Sequence, residues 1–537
     1  MTDSKTESPR LPRKGNLIIP IADERDAAPV RRSHSKAAPP KPAGWLAYLA
    51  LILLTIGSYA PIFTSELVWS EYDEVERSPY QSMESWTEAW TPDIVRAEDP
   101  FTLTSYFIEQ KIPLDPAITH HAINLLLHIV AAILMLKTLD ALKLPAAFSA
   151  SLIFALHPSV LQTIFWSGYR EELVGLIFIL AALYFGVRNR SAGDFLALML
   201  ISAIGNILHP ATLMLPLLLG LCIFYQNGFF HLKDYNRMLP LLCLALFIGV
   251  WTQGGSTGED IAFGDRLGIY SQNLFFYLKQ ALAPIELGLF HPFDQSKGYS
   301  VGAQHSFLPF LLFIPFYVLI AINFKKSWAR GILLGLTAYL LLIIYGISQK
   351  GAFIDGSLAY EDHFQYVALP IIIALVICTA GGIVRSMGPG GKILWYLGFT
   401  IFAGIQIAIT SSYAYSVSDR AQVWYNLTEE WPDAWLPKLA LIHTIQESGQ
   451  DSELLTQIQI ISMLENILEQ QPNRVQERQV LTRFYRDEGQ KTNALRQYKR
   501  ILRESKPDND FLREAANFYD ELGQTWDADN ARARIIE

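Results

Sequence analysis

The chain has 537 residues, of which 51% are hydrophobic and only 18% are charged, and its formal net charge is −8. The apolar residues are gathered into about a dozen runs between two polar ends, which favours a polytopic membrane protein with soluble extensions over a soluble globular enzyme. Acidic and basic residues are segregated by region, so the net charge gives no argument for a nucleic-acid partner.

The N-terminal segment, residues 1–43, is rich in Pro, Ser and basic side chains and predicts a disordered tail. No apolar run precedes Trp45, so we expect no cleavable signal peptide. Basic residues precede the first predicted span, Trp45–Phe63, and this bias places the tail in the cytoplasm and Glu66 outside. The three cysteines all lie inside apolar runs, where we expect small buried hydrophobes and no disulfide.

A long outer loop, Glu66–Ile118, carries twelve acidic residues against three basic ones. The second predicted span, Thr119–Leu136, begins with the sequence HHAINLLLH. Within it His121, Asn124 and His128 fall at spacings of three and seven, so they share one helical face. Such a face is compatible with ligand contact and equally with hydrogen bonds between helices inside the bundle.

The central hairpin dominates the organisation of the chain. An apolar run, Ala146–Leu156, is followed by His157-Pro158, an aromatic turn, Arg170-Glu171-Glu172 and a second apolar run, Val174–Phe185. We interpret it as two spans whose short outer connection presents an arginine and two carboxylates. Charges at the mouth of a bundle predict a functional site. The alternative is that Arg170 and Glu172 form an interfacial ion pair that only sets the hairpin.

The remaining apolar runs are predicted to cross the membrane in alternation. Basic residues indicate the cytoplasmic ends of successive spans, and placing all of them on the cytoplasmic side requires eleven crossings of the membrane. The amphipathic segment 267–289 is then placed along the surface. His209 and the loop that holds His363 fall on the outer side. An odd number of crossings puts the two tails on opposite sides, so the membrane domain is predicted over 44–412 and an extracytoplasmic domain over 413–537.

The C-terminal domain shows an internal repeat of 34 residues. Gly489 and Gly523 are one period apart, as are Tyr485 and Tyr519, and Ala494 and Ala528. This is the tetratricopeptide period, with small and aromatic residues where paired helices pack. A looser copy is predicted over Leu436–Pro472. The predicted fold class is therefore all-α: a polytopic helical bundle followed by tetratricopeptide-type repeats, which commonly bind a protein partner.

This order of features resembles membrane glycosyltransferases of the GT-C superfamily, and within it the transmembrane-and-tetratricopeptide O-mannosyltransferase-like proteins. The resemblance covers about Trp45 to the C-terminus. The family's hairpin pattern HPxxxExVxWxxGRxD/E is matched here by five residues, His157, Pro158, Trp166, Arg170 and Glu172. Its pattern HxxNxxxH is matched by His121, Asn124 and His128.

The resemblance implies a reaction and roles for residues of this chain. An acid of the first loop, best matched by Asp73-Glu74 with Glu71 as the alternative register, would deprotonate an acceptor hydroxyl on a protein or glycan. The donor would be a sugar on a polyprenyl phosphate. Arg170, His209 and His363 would bind the phosphate. A divalent cation held by the acidic loop is compatible with this chemistry but not required.

Three departures from the family remove cationic groups. Asp99-Pro100 stands in place of an Arg-Pro, His209-Pro210 in place of a Lys-Glu, and His363 in place of an Arg. Histidine holds a phosphate well only when it is protonated. The competing hypothesis is therefore a non-catalytic scaffold whose repeats assemble partners. A transporter is disfavoured, because the spans lack repeated intramembrane charges and inverted halves.

Overall fold

The computed structural model describes residues 42–65, 86–87, 90–91, 100–228, 232–252, 263–285, 287–288, 291–292, 308–348, 353–354, 357–360, 362–448 and 455–535. Within these ranges the protein is helical apart from three short strands. The predicted base Asp73 and its neighbours Glu71 and Glu74 lie outside the described residues, as does Asp99.

The first part of the chain forms helices α1 to α14. Their bounds are α1 Trp45–Tyr59, α2 Pro100–Glu109, α3 Pro116–Ala141, α4 Ala147–Ala155, α5 Leu161–Phe165, α6 Arg170–Arg188, α7 Ala192–Leu208, α8 Leu215–Asn227, α9 Leu232–Thr252, α10 Phe263–Leu282, α11 Leu308–Ile322, α12 Ser327–Ser348, α13 Leu369–Ser386 and α14 Gly388–Ser416. Helix α2 lies within the predicted outer loop, and α14 continues across the predicted domain boundary at residue 412.

The protein is a multi-pass membrane protein. The described residues contain six helical segments that are long and apolar enough to cross a bilayer: Trp45–Thr64, Pro116–Ala141, Pro210–Asn227, Trp328–Tyr345, Leu369–Ser386 and Gly388–Ser416. A further span forms if the bent pair Ala147–Ala155 and Pro158–Phe165 counts as one. Three shorter apolar helices lie at Ala192–Leu208, Asn236–Val250 and Phe310–Ile322.

The bent pair is the inner element of the bundle. Pro158 lacks an N–H, and the chain turns by 53° between α4 and the following segment. Every residue from 150 to 165 is buried. Backbone carbonyls freed by such a break cannot be left bare in a membrane, so other helices must supply donors.

Three successive carbonyls at the break are each capped from a different helix. His128 Nε2 on α3 lies 3.2 Å from the Ala155 oxygen, and Thr410 Oγ1 on α14 lies 2.7 Å from the Leu156 oxygen. The Tyr59 hydroxyl at the end of α1 donates to the His157 oxygen over 3.0 Å. His128 therefore has the interhelical role that its position on the inner face of α3 allowed. Its Nδ1 accepts from Tyr366, 2.9 Å away.

The C-terminal helices are α15 Arg420–Glu430, α16 Trp435–Ser448, α17 Gln457–Gln470, α18 Val475–Asp487, α19 Lys491–Glu504, α20 Asn509–Glu521 and α21 Thr525–Arg532. Residues 34 apart have the same environment here. Gly489 and Gly523 have φ of +71° and +72° in the turns that follow α18 and α20, a conformation that glycine adopts without steric cost. Tyr485 and Tyr519 are both buried.

The three strands form one small antiparallel sheet in the order β1-β3-β2, with β1 His291–Pro292, β2 Phe353–Ile354 and β3 Ser357–Tyr360. His291 pairs with Tyr360. This register sets His291 beside the single 3₁₀ turn that follows, Asp362–Gln365.

Candidate functional site

Arg170 is the centre of a buried polar network. It is the first residue of α6, and its side chain is 0% exposed. Its Nε donates to Asn124 Oδ1 over 2.7 Å, and its guanidinium also donates to the Glu109 carboxylate and to the Ser105 hydroxyl. The guanidinium carbon lies 5.2 Å from the centre of the Tyr106 ring, a cation–π distance.

Glu109 and His120 complete the network from α2 and α3. His120 Nδ1 lies 2.9 Å from Glu109 Oε2, and Arg170 Nη2 lies 3.0 Å from Nδ1 and 3.2 Å from Nε2 of the same ring. With its proton on Nδ1, the neutral ring donates to Glu109 and leaves Nε2 as the acceptor for the guanidinium. Burial raises the pKa of the Glu109 carboxyl, and the Arg170 guanidinium opposes that rise.

The alternative ion pair between Arg170 and Glu172 is wrong. Arg170 pairs with Glu109, whereas Glu172 lies 3.4 Å from His209 Nε2. Residues two positions apart on a helix point to different sides, so they do not face each other. Every N–H group of the guanidinium can be assigned a partner within the protein.

His209 is held in one orientation by its own backbone. It precedes Pro210, and its Nδ1 accepts from the Ala211 N–H over 3.3 Å at the start of a 3₁₀ turn. Nε2 therefore carries the proton and faces Glu172. The ring fits because residue 175 is a glycine: a Cβ there would lie 2.5 Å from the His209 ring. Gly175 thus allows α6 to approach this histidine closely.

Replacing Gly175 with Ala is expected to lower stability by about 1–3 kcal/mol, because the added methyl group forces His209 or α6 to shift. Thermal unfolding of the purified protein in detergent measures this. The matched control is Gly398→Ala on α14, where no atom lies within 4 Å of the new Cβ. Equal melting temperatures for the two variants would contradict the close packing of His209 on α6.

His157 repeats the arrangement of His209. It also precedes a proline, its Nδ1 accepts from the Ser159 N–H over 3.3 Å, and its Nε2 lies 3.2 Å from the Ala281 oxygen on α10. His121 is fully buried and stacks on Phe165, with ring centres 5.0 Å apart. The structure therefore places these two predicted substrate-binding histidines inside the packed bundle.

His363 lies against the tip of the hairpin. Its ring stacks on Tyr169 with ring centres 3.6 Å apart and planes 11° apart. Its backbone N–H donates to Gln162 Oε1 over 2.9 Å. Gln162 and Tyr169 stand where the family pattern has Glu and Gly, and both contact His363. The stack brings the predicted site residues His363 and Arg170 into one region, because Tyr169 immediately precedes Arg170.

Sequence reasoning missed Glu109, His120 and Ser105. A weak signal existed, since His120 lies four residues before Asn124 and therefore on the same helical face. Nothing in the sequence singled out Glu109 among the acidic residues of the first loop. Within the described ranges no group of three His, Cys, Asp or Glu side chains is placed to hold a metal ion.

No protein-family model matches the chain. Over 218 aligned residues the chain is 24% identical to a protein O-mannosyl-transferase of Caenorhabditis elegans. This alignment covers 37% of the chain and 31% of the relative, so the chain spans about a third of the length of the relative that it matches. At this identity and coverage, the comparison supports at most a distant relationship to O-mannosyltransferase-like proteins.

Proposed function

We propose that the chain is a membrane glycosyltransferase that moves a sugar from a polyprenyl-phosphate donor to an extracytoplasmic acceptor, a protein or a glycan. The observation that carries the proposal is the convergence of buried polar side chains from α2, α3, α6 and the Asp362–Gln365 turn around the central hairpin. Charges that are gathered and paired in this way at the mouth of a membrane bundle predict a functional site. The partial similarity to a protein O-mannosyl-transferase supports the same class of reaction.

In this proposal Asp73, with Glu74 next to it in the sequence, deprotonates the acceptor hydroxyl. His209, His363 and Arg170 bind the departing phosphate. The contacts of Arg170 constrain that role. Because its guanidinium is buried against Glu109, it can bind the donor phosphate only by exchanging the carboxylate for the phosphate. Otherwise Arg170 is a positioning residue that holds α2 against the hairpin.

We also propose the eleven-crossing topology, with the N-terminus cytoplasmic and the C-terminus outside. Six long apolar segments, the bent pair, three shorter apolar helices and the charged α6 add up to that number. Impermeant thiol labelling of cysteines introduced at Ser35 and Asp508 tests it. Labelling of both positions from the same side of the membrane would exclude the topology.

We further propose that residues 413–537 form a tetratricopeptide-type domain that binds a protein partner. Its support is the spacing of the helices, since α17, α19 and α21 begin at Gln457, Lys491 and Thr525, 34 residues apart each time. Circular dichroism of this segment expressed alone tests the domain. A disordered spectrum would contradict it.

A non-catalytic scaffold is the second candidate function. The observation that favours it is that Arg170 is fully occupied by protein groups, while three cationic groups of the family pattern are replaced. Under this hypothesis the hairpin network only holds the bundle together, and the repeats assemble partners outside the membrane.

A transfer assay distinguishes the two candidates. Purified full-length protein in lipid nanodiscs is incubated with radiolabelled mannosyl- or glucosyl-phosphoryl polyprenol and with an extracytoplasmic extract of the source membrane. We expect time-dependent transfer of label to protein or glycan. If folded protein gives no more labelled product than the protein-free control with either donor, the result supports the scaffold.

A further inference from the structure

Asp362 is a buried carboxylate that accepts no hydrogen bond from the residues that the structure describes. It is 1% exposed, and neither of its oxygens has a hydrogen-bond partner within the described residues. Among the described residues the nearest basic group is His291 Nε2, 3.9 Å from Oδ1, which is too far for a hydrogen bond. Burying a charge or a polar group without a partner costs free energy, so a ligand that supplies the partners would stabilise this site.

Two further side chains beside Asp362 share this property. Gln365 lies three residues later in the same 3₁₀ turn, where side chains at that spacing are eclipsed. The Gln365 amide and His291 Nε2 are both buried, and neither has a hydrogen-bond partner among the residues that the structure describes. We call Asp362, Gln365 and His291 the Asp362 cluster.

The hydrogen-bonding capacity of the Asp362 cluster restricts what it can bind. A phosphate offers only acceptors, and a metal ion takes only acceptors. The Asp362 cluster instead mixes acceptors, on the carboxylate and the amide oxygen, with a donor, on the amide nitrogen. A set of neighbouring hydroxyl groups, each both donor and acceptor, matches this mixture.

The position of the Asp362 cluster connects it to the hairpin. His363 follows Asp362 directly and stacks on Tyr169, which directly precedes Arg170. One aromatic pair therefore separates the Asp362 cluster from the Arg170 network. A ligand with a sugar at one end and a phosphate at the other has matching chemistry on the two sides of that pair.

We propose that the Asp362 cluster binds the hydroxyl groups of the sugar carried by the donor. This inference rests on the proposed glycosyltransferase function, and it assigns the part of the site that recognises the sugar. Hydrogen bonds from hydroxyls to the carboxylate replace the missing internal partners. In this way the bound sugar supplies partners to polar groups that have none among the described residues.

The test measures binding of two charge-matched probes to the full-length protein in nanodiscs. One probe is mannosyl- or glucosyl-phosphoryl polyprenol, and the other is the methyl phosphodiester of the same polyprenol, which lacks the sugar. We expect wild-type protein to bind a sugar-bearing probe more tightly. Asp362→Leu is expected to weaken that binding by about 10- to 100-fold, the range for hydrogen bonds to a charged group, and to leave binding of the methyl phosphodiester unchanged.

A second measurement separates a binding role from a structural one. Without ligand, Asp362→Leu and the milder Asp362→Asn are expected to raise the melting temperature, because they remove an uncompensated buried charge. The matched control is Asp194→Leu, since that buried carboxylate accepts from the N–H groups of Arg190 and Ser191 and its loss should lower the melting temperature.

The outcomes distinguish the inference from the function on which it rests. If wild-type protein binds neither probe, the proposed function fails and the inference fails with it. If wild-type protein binds both probes equally, or if the Asp362 variants weaken both probes alike, only the inference is overturned. A fall in melting temperature for Asp362→Asn, matching that of Asp194→Leu, would likewise make the carboxylate structural.

Discussion

Replacing Arg170 with Ala is expected to destabilise the protein by about 3–5 kcal/mol, because Glu109 is then left as a buried charge without its partner. The loss should appear as a lower melting temperature and a smaller yield of monodisperse protein in detergent. Replacing both partners, as Arg170→Met with Glu109→Leu, should recover much of the loss, since no charge remains buried. The effects of the two substitutions are therefore expected to be strongly non-additive.

A matched control comes from the C-terminal helices. Arg513 also pairs with a carboxylate, that of Asp510, but the two side chains are 60% and 84% exposed. Exposed pairs contribute little, so Arg513→Ala should leave the melting temperature nearly unchanged. Similar stability losses for Arg170→Ala and Arg513→Ala would show that the buried contact with Glu109 does not form in the membrane.

Replacing Asp73 with Asn is expected to lower sugar transfer by about 100-fold or more, because the amide keeps the shape of the side chain but cannot accept the acceptor's proton. Protein abundance and melting temperature should stay at wild-type values. The measurement is the initial rate of label transfer in the nanodisc assay. An acid of the same loop, Asp93, supplies the matched control, and Asp93→Asn should retain the wild-type rate.

Combination with Arg170 tests whether the two residues act at one site. Arg170→Ala should also lower the transfer rate, and its effect should be less than additive with that of Asp73→Asn if the two work as a unit. Rates are compared per folded molecule, because the arginine variant is expected to be less stable. Wild-type transfer by the double variant Asp73→Asn, Glu74→Gln would exclude both residues as the base and favour the scaffold.

The helices could be predicted from sequence to a useful degree because their signals are local. Apolar runs in the sequence predicted apolar helices, six of which are long enough within the described residues to cross a bilayer. The 34-residue spacing of Gly489 and Gly523 marked two turns that have the same backbone conformation. The inward face of α3 was also predictable, since His121, Asn124 and His128 follow from helical spacing alone. All three are buried.

The contacts of the candidate site could not be predicted, because they join distant parts of the chain. Glu109 reaches Arg170 across 61 positions, and His128 reaches Tyr366 across 238. The first loop offers many acidic residues, and only the docking of α2 onto α3 and α6 selects Glu109. The nearby carboxylate of Glu172 was the obvious partner for Arg170 in the sequence, but helix geometry directs it to His209.

The capped break in the central hairpin has a consequence for the biogenesis of the protein. Tyr59 and His128 are synthesised before the carbonyls that they cap, but Thr410 follows Leu156 by 254 residues. At a translation rate of about 5–20 residues per second, Thr410 is synthesised roughly 13–50 s after Leu156. During that interval the hairpin has no finished bundle around it, although every residue from 150 to 165 ends up buried. A nascent chain that stalls before Thr410 therefore presents a bent segment in which the Leu156 carbonyl still lacks its native donor.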